Sequence, residues 1–529
     1  MTALLAAALA GFAALSLEIL GVRWLAPWFG TTSLVWTNQI GVVLAAMAAG
    51  AALGGRLARS GRPPLPTAAV LLGGAGLLLA LALALLGPFC AWLLPPDLRL
   101  EEAAGIAVGG SLAGALLFFA PPVLLLAMVA PLLVEARSAA RGAGRAAGEV
   151  SAAGTAGSLL GVFGSTYLAL PVLGIRPTLA LVAAALVLAG ALLASAGRRC
   201  RRAAPALLPL LPLLAPDPAA NANLPALPGL ESEVREVRET PYQRLRVVEF
   251  RDPAAPGPVE RWLQMNEGLD SYQSRWLPDS PWPGGYYDLF ALAPCYALDG
   301  AAADRPVRFW SIGHACGAAL GPVAAVLGGR DWRAVGVELD PAAVELGRKW
   351  LPATAAAAAR TEVVIGDGRV ALRGAPPDLD FLLVDAYAAQ FEIPGHLATL
   401  EFFREARAHL RPGGVLALNL GTAARRAGRG RTVRGILGGL VEAFPAGGVR
   451  LHEVPFARNV VVFARRERPL APLDALAATL PGGLPRELAG AVLPGQVREG
   501  PALDPGRPFL DDRSDLALAL AREWLGGDS

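Results

Sequence analysis

The chain has 529 residues, of which 54% are apolar and only 17% charged, with a formal net charge of +3 at pH 7. That balance excludes an ordinary soluble pair of domains and places part of the chain in lipid. The small positive excess carries no nucleic-acid signature, because the arginines gather at the ends of apolar runs and not along an aromatic-bearing face.

Apolar residues concentrate before about residue 216, in runs that reach the ~20 residues a helix needs to cross a bilayer. The pattern predicts an α-helical transmembrane bundle with spans over 3–22, 33–54, 67–94, 106–134, 151–172 and 177–197. The first lacks the basic flank of a cleaved signal peptide, and further spans follow it. Arg56, Arg59 and Arg62 follow the second span, Arg137, Arg141 and Arg145 the fourth, and Arg198, Arg199, Arg201 and Arg202 the sixth. The intervening loops hold only DLRLEE and Arg176. Short cytoplasmic loops collect Lys and Arg, so the alternation predicts a multi-pass protein of the inner or plasma membrane. Its N-terminus and everything after residue 202 face the cytoplasm. APALLPLLPLLAP, over 204–216, is short and broken by prolines, and reads as an interfacial or linker segment, with a distorted seventh span as the alternative. Glu18 and Arg23 lie in the first span; Arg23 reads as reaching the interface and Glu18 as satisfied by a neighbouring helix.

The texture changes after PDPAANANLPALPG. Charged and apolar positions alternate over 232–266, which predicts a small antiparallel β-unit. From 306 onward strands and helices alternate as in βαβ units, so a Rossmann-like domain of the class I methyltransferase type is predicted. Its strands are VRFWSIG, AVGVELD, TEVVIGDG, LDFLLVDAY and GVLALNL, followed by two β-runs in VRLHEVPFARNVVVFARR that read as an antiparallel edge hairpin. The predicted organisation is a transmembrane domain over 1–202, a Pro-rich linker over 203–230, the β-unit over 231–300 and the catalytic α/β domain over 301–529.

Parallel sheets bind ligands beyond the carboxyl ends of their strands, so chain order gathers Gly313, Glu338, Asp367 and Asp385 at one crevice. Gly313 and Gly317 let the chain turn tightly and approach a ligand. Glu338 stands 25 residues after Gly313, where an acid accepts the ribose hydroxyls of a nucleotide. Asp367, in GDGR, suits the exocyclic amine of adenine, and Asp385 points at whatever reacts. Cys90, Cys200, Cys295 and Cys316 are scattered and form no CxxC pair, so neither a disulfide framework nor a metal site is predicted. His314 and Cys316 read as lining of the glycine turn, and His396 and His409 as structural, His396 being nearer the chemistry.

These residues, together with TPYQRLRVVEF, NEGLDSYQS, GGYYD, HLATLEFF and LRPGGVLALNL, resemble the polyamine aminopropyltransferases, specifically the membrane-fused relatives of spermidine synthase. LEILGVRWLAPWFGTTSLVWTNQIGVVL and GTAGSLLGVFGSTYLALPVLGIRPT resemble the fused membrane segments. The resemblance implies that Gln243 and Gln273 contact decarboxylated S-adenosylmethionine or its thioadenosine product. It implies Glu338 as the ribose acid, Asp367 and Gly368 as the adenine pair, Asp385 as proton acceptor, and Tyr286 and Tyr287 beside the amine. Two departures stand out: Cys316 replaces the aspartate of the family's glycine turn, and Ala388 replaces the acid three residues after the catalytic one. A dication leaving water needs such partners, so nucleoside binding is better supported than putrescine binding, with Asp270, Asp288 and Glu392 as substitute acids.

The expected activity is therefore aminopropyl transfer from decarboxylated S-adenosylmethionine, a co-substrate and not a tightly bound cofactor, to a small amine. The alternatives are methyl transfer from S-adenosylmethionine to an amine or membrane-proximal substrate, and a transporter or sensor that binds a nucleoside without turnover. The bilayer is the other expected partner; a homodimer is left open.

Overall fold

The computed structural model describes residues 1–94, 108–194, 204–215, 217, 224–266, 272–299, 305–387, 392–421, 430–445, 448–454, 459–476, 485–489, 492–512 and 516–524. The chain forms two compact units. The first comprises Met1–Pro225 with Val237–Arg244 and Asn266–Asp270; the second comprises Ala226–Glu236, Leu245–Met265 and Ser271–Ser529.

Among the described residues the first unit has six helices long and apolar enough to cross a membrane. They are α1 (Thr2–Phe29), α2 (Ser33–Ala58), α3 (Pro64–Leu93), α4 (Val108–Arg141), α5 (Ala143–Leu173) and α6 (Ile175–Ala194). Each expected span falls on one of them. Helix α5 begins eight residues before the predicted 151, because Glu149 is paired with Arg137, Arg141 and Arg145 and its charge does not end the helix. Small residues let helices of this kind approach closely. Accordingly α2 meets α4 at Gly50 and Gly54, and α3 meets α6 at Gly76 and Gly190, where an added Cβ would lie 2.4–2.6 Å from a facing carbonyl oxygen. Helix α4 is π-wound over Ala115–Phe119 and α5 over Gly164–Ala169, and there the Ser165 hydroxyl donates to Ser16 at 2.8 Å. The 204–216 stretch forms a 3-10 helix, Ala204–Leu214, held by Arg176 donating to the Pro212 carbonyl at 2.7 Å. Its 11 residues rise about 22 Å, too short for a ~30 Å hydrocarbon core. Arg23, expected at the interface, donates to the carbonyls of Thr240, at 2.8 Å, and Pro241.

The second unit holds the larger of two sheets and most of the smaller one. The smaller runs β1 (Glu231–Glu239), β2 (Arg244–Arg251), β3 (Pro258–Met265), β4 (Ser274–Trp276) in sequence order, with β2–β3 and β3–β4 antiparallel. Two short helices, α7 (Tyr286–Leu289) and α8 (Leu292–Ala297), lead to the larger sheet. In chain order this contains β5 (Val307–Ile312), α9 (Leu320–Leu327), β6 (Trp332–Glu338), α10 (Pro341–Trp350), β7 (Thr361–Ile365), α11 (Gly368–Leu372) and β8 (Leu379–Val384). There follow α12 (Leu400–His409), β9 (Leu410–Gly421), α13 (Arg431–Ala443), β10 (Val449–Glu453), β11 (Asn459–Arg465), β12 (Val497–Glu499) and α14 (Leu516–Trp524). The spatial order is β12-β10-β11-β9-β8-β5-β6-β7. Strands β5 to β9 are parallel, and β11 lies antiparallel to both β9 and β10. Central β8 is buried at every position, which is why LDFLLV shows no alternation. The predicted hairpin is present, but it is not the edge: β12 adds to β10, and its three residues are too few for a period to show.

Candidate active site

The order β8-β5-β6-β7 sets the carboxyl ends of four parallel strands side by side. At β5 the chain turns through Gly313 (φ 80°), Ala315 (φ 45°) and Gly317 (φ 77°). A Cβ on Gly313 would stand 2.2 Å from the Asp385 carbonyl oxygen, so this glycine is required both by its backbone angle and by the neighbouring strand. The Glu338 carboxylate is tied into the turn, one oxygen accepting from the Ala315 amide at 2.7 Å and the other from the Asp340 amide at 3.0 Å. Burial raises its pKa, and the two amides oppose that. Asp340 caps α10 through the Ala342 amide at 3.1 Å, so VELDP is a strand end, an acid and a helix start in one.

Asp367 caps α11, its Oδ1 accepting from the amides of Arg369 (3.0 Å) and Val370 (2.9 Å). Gly368 follows because a Cβ there would lie 2.3 Å from Ile312 Cγ2. Around these acids Leu339 and Ile365, at the ends of β6 and β7, and Val370, on α11, are 45%, 50% and 65% exposed, three apolar side chains left open as an apolar ligand face requires. His396, read as structural from sequence, stands 2.8 Å from Asp367 Oδ2 through Nε2.

Asp385 follows β8. Its Oδ1 accepts from Asn419 Nδ2 at 2.7 Å, and Tyr286 also donates to it. Asn459 Nδ2 donates to Asn419 Oδ1 at 2.9 Å, which fixes the Asn419 amide with its NH2 toward the acid. Burial pushes the Asp385 carboxyl up to about 7 against these two hydrogen bonds, although the residue is not fully buried. Tyr286, Tyr287 and Tyr387 surround it; burial first, then the charge of Asp385, holds all three phenols well above their ordinary range, so they stay neutral donors. Tyr286 and Tyr287 pack with ring centroids 4.1 Å apart, and the Tyr287 hydroxyl is buried with no hydrogen bond of good geometry. Tyr387 bridges β9, donating to the Asn419 carbonyl (3.0 Å) and accepting from the Gly421 amide (2.6 Å).

Gln273 precedes β4, and its Oε1 is buried without a partner; next to it Ser274 Oγ accepts from the Cys316 amide at 3.2 Å. Gln243 lies between β1 and β2, in the Val237–Arg244 segment that belongs to the first unit. Burial lowers His314 to about 4 and raises Cys316 to about 12, so the first is neutral and the second no thiolate. Asp288 accepts from the Gly284 amide at 3.0 Å, and burial raises it to about 6. Asp270 and Ala388 lie outside the described residues. From sequence His396 read as structural, though nearer the chemistry, and Asn419 and Tyr387 were given no role, although Asn419 is a polar residue ending a parallel strand.

A bundle of apolar helices in one chain with a mixed sheet of this order, its polar residues gathered at strand ends, defines a Rossmann-like protein of the class I methyltransferase type with a membrane-type N-terminal region. No protein-family model matches the chain. It is 26% identical over 207 residues to the "Probable polyamine aminopropyl transferase" of Bifidobacterium longum, covering 39% of this chain and 43% of that relative's length. Among solved structures it is similar to a probable spermidine synthase from Corynebacterium glutamicum, with 19% identity, 54% of this chain and 98% of that chain covered, and a TM-score of 0.41. Spermidine synthase from Thermotoga maritima gives 19% identity, 50% and 85% coverage, and a TM-score of 0.37. Human methyltransferase-like protein 13 in complex with SAH gives 20% identity, 39% and 89% coverage, and a TM-score of 0.30.

Proposed function

We propose that the chain is an aminopropyltransferase that uses decarboxylated S-adenosylmethionine. The observation that carries this reading is Asp385: a buried acid with a pKa near 7, aimed by Asn419 and Tyr286 and set beside the glycine turn. A base poised near neutrality suits removal of a proton from an attacking amine. In the reaction the amine nitrogen forms a bond to the methylene beside the sulfonium, the C–S bond breaks, and its electron pair stays on sulfur, releasing methylthioadenosine. The amine proton passes to Asp385. Alignment of nitrogen, carbon and sulfur supplies most of the acceleration. Glu338 would hold the ribose, Asp367 and Gly368 would border the adenine, and Gln243 and Gln273 would contact the donor. The orphaned Gln273 oxygen and the open Leu339, Ile365 and Val370 support a ligand there. The likeness to the Bifidobacterium relative points the same way. Purified protein given decarboxylated S-adenosylmethionine and a panel of amines should release methylthioadenosine. Release of S-adenosylhomocysteine from S-adenosylmethionine would make it a methyltransferase, and no turnover with either donor would leave a binding protein.

The ribose assignment has its own test. Glu338→Gln should weaken methylthioadenosine binding by about 1–3 kcal/mol, the cost of losing a charged acceptor. Unchanged affinity by calorimetry in a folded variant would remove Glu338 from the site.

The acceptor should not be a small free dication. Cys316 and Ala388 stand where the resemblance implies two acids, and each missing charged hydrogen bond costs about 1.5–3 kcal/mol, or one to two decades of affinity. Putrescine is expected to be a poor acceptor beside a longer polyamine or a lipid-borne amine. Comparable kcat/KM for putrescine and the best amine would refute this.

We further place the C-terminal region in the cytoplasm, where adenosyl donors are made, on the arginine alternation. A reporter fused after Ser529 should be active only in its cytoplasmic form; activity of a reporter that works only outside the cytoplasm would reverse the orientation.

A further inference from the structure

Asp367 has both oxygens engaged. Oδ1 caps α11, and Oδ2 faces His396 Nε2 at 2.8 Å. Although partial burial pushes the acid upward, the Val370 and Arg369 amides and the hydrogen bond from His396 lower it. A carboxylate only accepts, so the hydrogen in this contact belongs to Nε2, and a neutral imidazole then presents Nδ1 as an acceptor. The ring is anchored from behind: the His396 carbonyl accepts from Arg369 Nη1 at 3.1 Å, and Arg369 is clamped by Glu405 and Asp511, each at 2.7 Å. Arg369 belongs to the helix that Asp367 caps, so one element fixes acid and histidine together. The His396 side chain is 45% exposed, paired with the acid beside which Ile365 and Val370 also stand open.

Resting on the adenosyl-donor reading above, we propose that His396 is the specificity-determining residue for the base. Its Nδ1 accepts from the exocyclic amine of adenine, while Asp367 fixes the tautomer that makes this possible. A 6-oxo purine would set an oxygen against that lone pair and be rejected.

The test is calorimetry of the full-length protein in detergent with 5′-methylthioadenosine and 5′-methylthioinosine. The unaltered protein should prefer the adenine compound by about tenfold or more. His396→Phe keeps a flat ring without the acceptor and should bring the ratio near one, with the thermal unfolding midpoint unchanged. His396→Gln can donate to Asp367 and still offer an oxygen, so it should keep most of the preference. A His396→Phe protein that discriminates as well as the unaltered one would overturn the inference, as would equal binding of both nucleosides by the unaltered protein. Binding of neither would overturn the donor reading itself, and the inference with it.

Discussion

Asp385→Asn is expected to lower kcat with the best acceptor by about 10²–10⁴-fold while leaving methylthioadenosine affinity within about threefold, because the change removes a base and spares the nucleoside contacts. The pH dependence gives the sign. Burial raises the Asp385 pKa to about 7, so at lower pH the group is protonated and cannot take the amine proton. The kcat profile of the unaltered protein should therefore climb through an acid limb near pH 7 and level off above it. Asn419 stabilises the ionised form, and its replacement by leucine should move that limb to higher pH by about one unit, the equivalent of one hydrogen bond. An Asp385→Asn enzyme with undiminished kcat, or an acid limb that the Asn419→Leu protein leaves in place, would take the base role away from Asp385.

Why Asp385 and not its neighbour could be read from sequence shows what strand position does. LDFLLVD contains Asp380 and Asp385, five residues apart on opposite sides of one apolar strand. Asp380, at the amino end, is fully buried among Arg305, Arg411 and the Arg308 amide, a structural knot. Asp385, at the carboxyl end, accepts from the neutral donors Asn419 and Tyr286 among the described residues. Parallel-sheet topology predicts that ligands bind at the carboxyl ends, so the preference for Asp385 as a candidate needs no coordinates. The same logic carried Gly313, Glu338 and Asp367.

What sequence could not supply was the second layer. Asn419 reaches Asp385 from β9 and is aimed by Asn459 from β11, a pairing of residues 40 apart that depends on antiparallel register and not on any local pattern. His396 meets Asp367 across 29 residues, because Arg369 holds the His396 carbonyl. The six apolar helices were legible because a period-free apolar run of sufficient length has few other fates. The edge strand β12 was not, since three residues cannot show a period.

The bundle offers a contrast between glycines three residues apart on one helix. Helices α1 and α5 touch so closely that a Cβ on Gly157 would lie 1.8 Å from the Ala8 carbonyl oxygen and 2.5 Å from its carbon. Neither atom can rotate away, since both belong to helical backbone. Gly157→Ala should therefore push the helices apart and break the neighbouring contact at Gly161, where an added Cβ would already be 2.4 Å from the Phe12 carbonyl oxygen. A loss on the order of 3 kcal/mol or more is expected, visible as a collapse in monodisperse protein recovered from detergent and a lowered unfolding temperature. Gly154 sits on the same helix, yet a Cβ there would meet only the Ala7 carbonyl oxygen at 3.8 Å, an ordinary contact. Gly154→Ala should be neutral or stabilising by up to about 1 kcal/mol, from the backbone entropy that glycine gives up in a helix. Chemically identical substitutions thus have opposite expected signs, decided by how closely each added Cβ would meet the α1 backbone. If both variants unfold at the temperature of the unaltered protein, the close approach of the two helices is wrong; if both collapse, helix α5 is rotated from the orientation described.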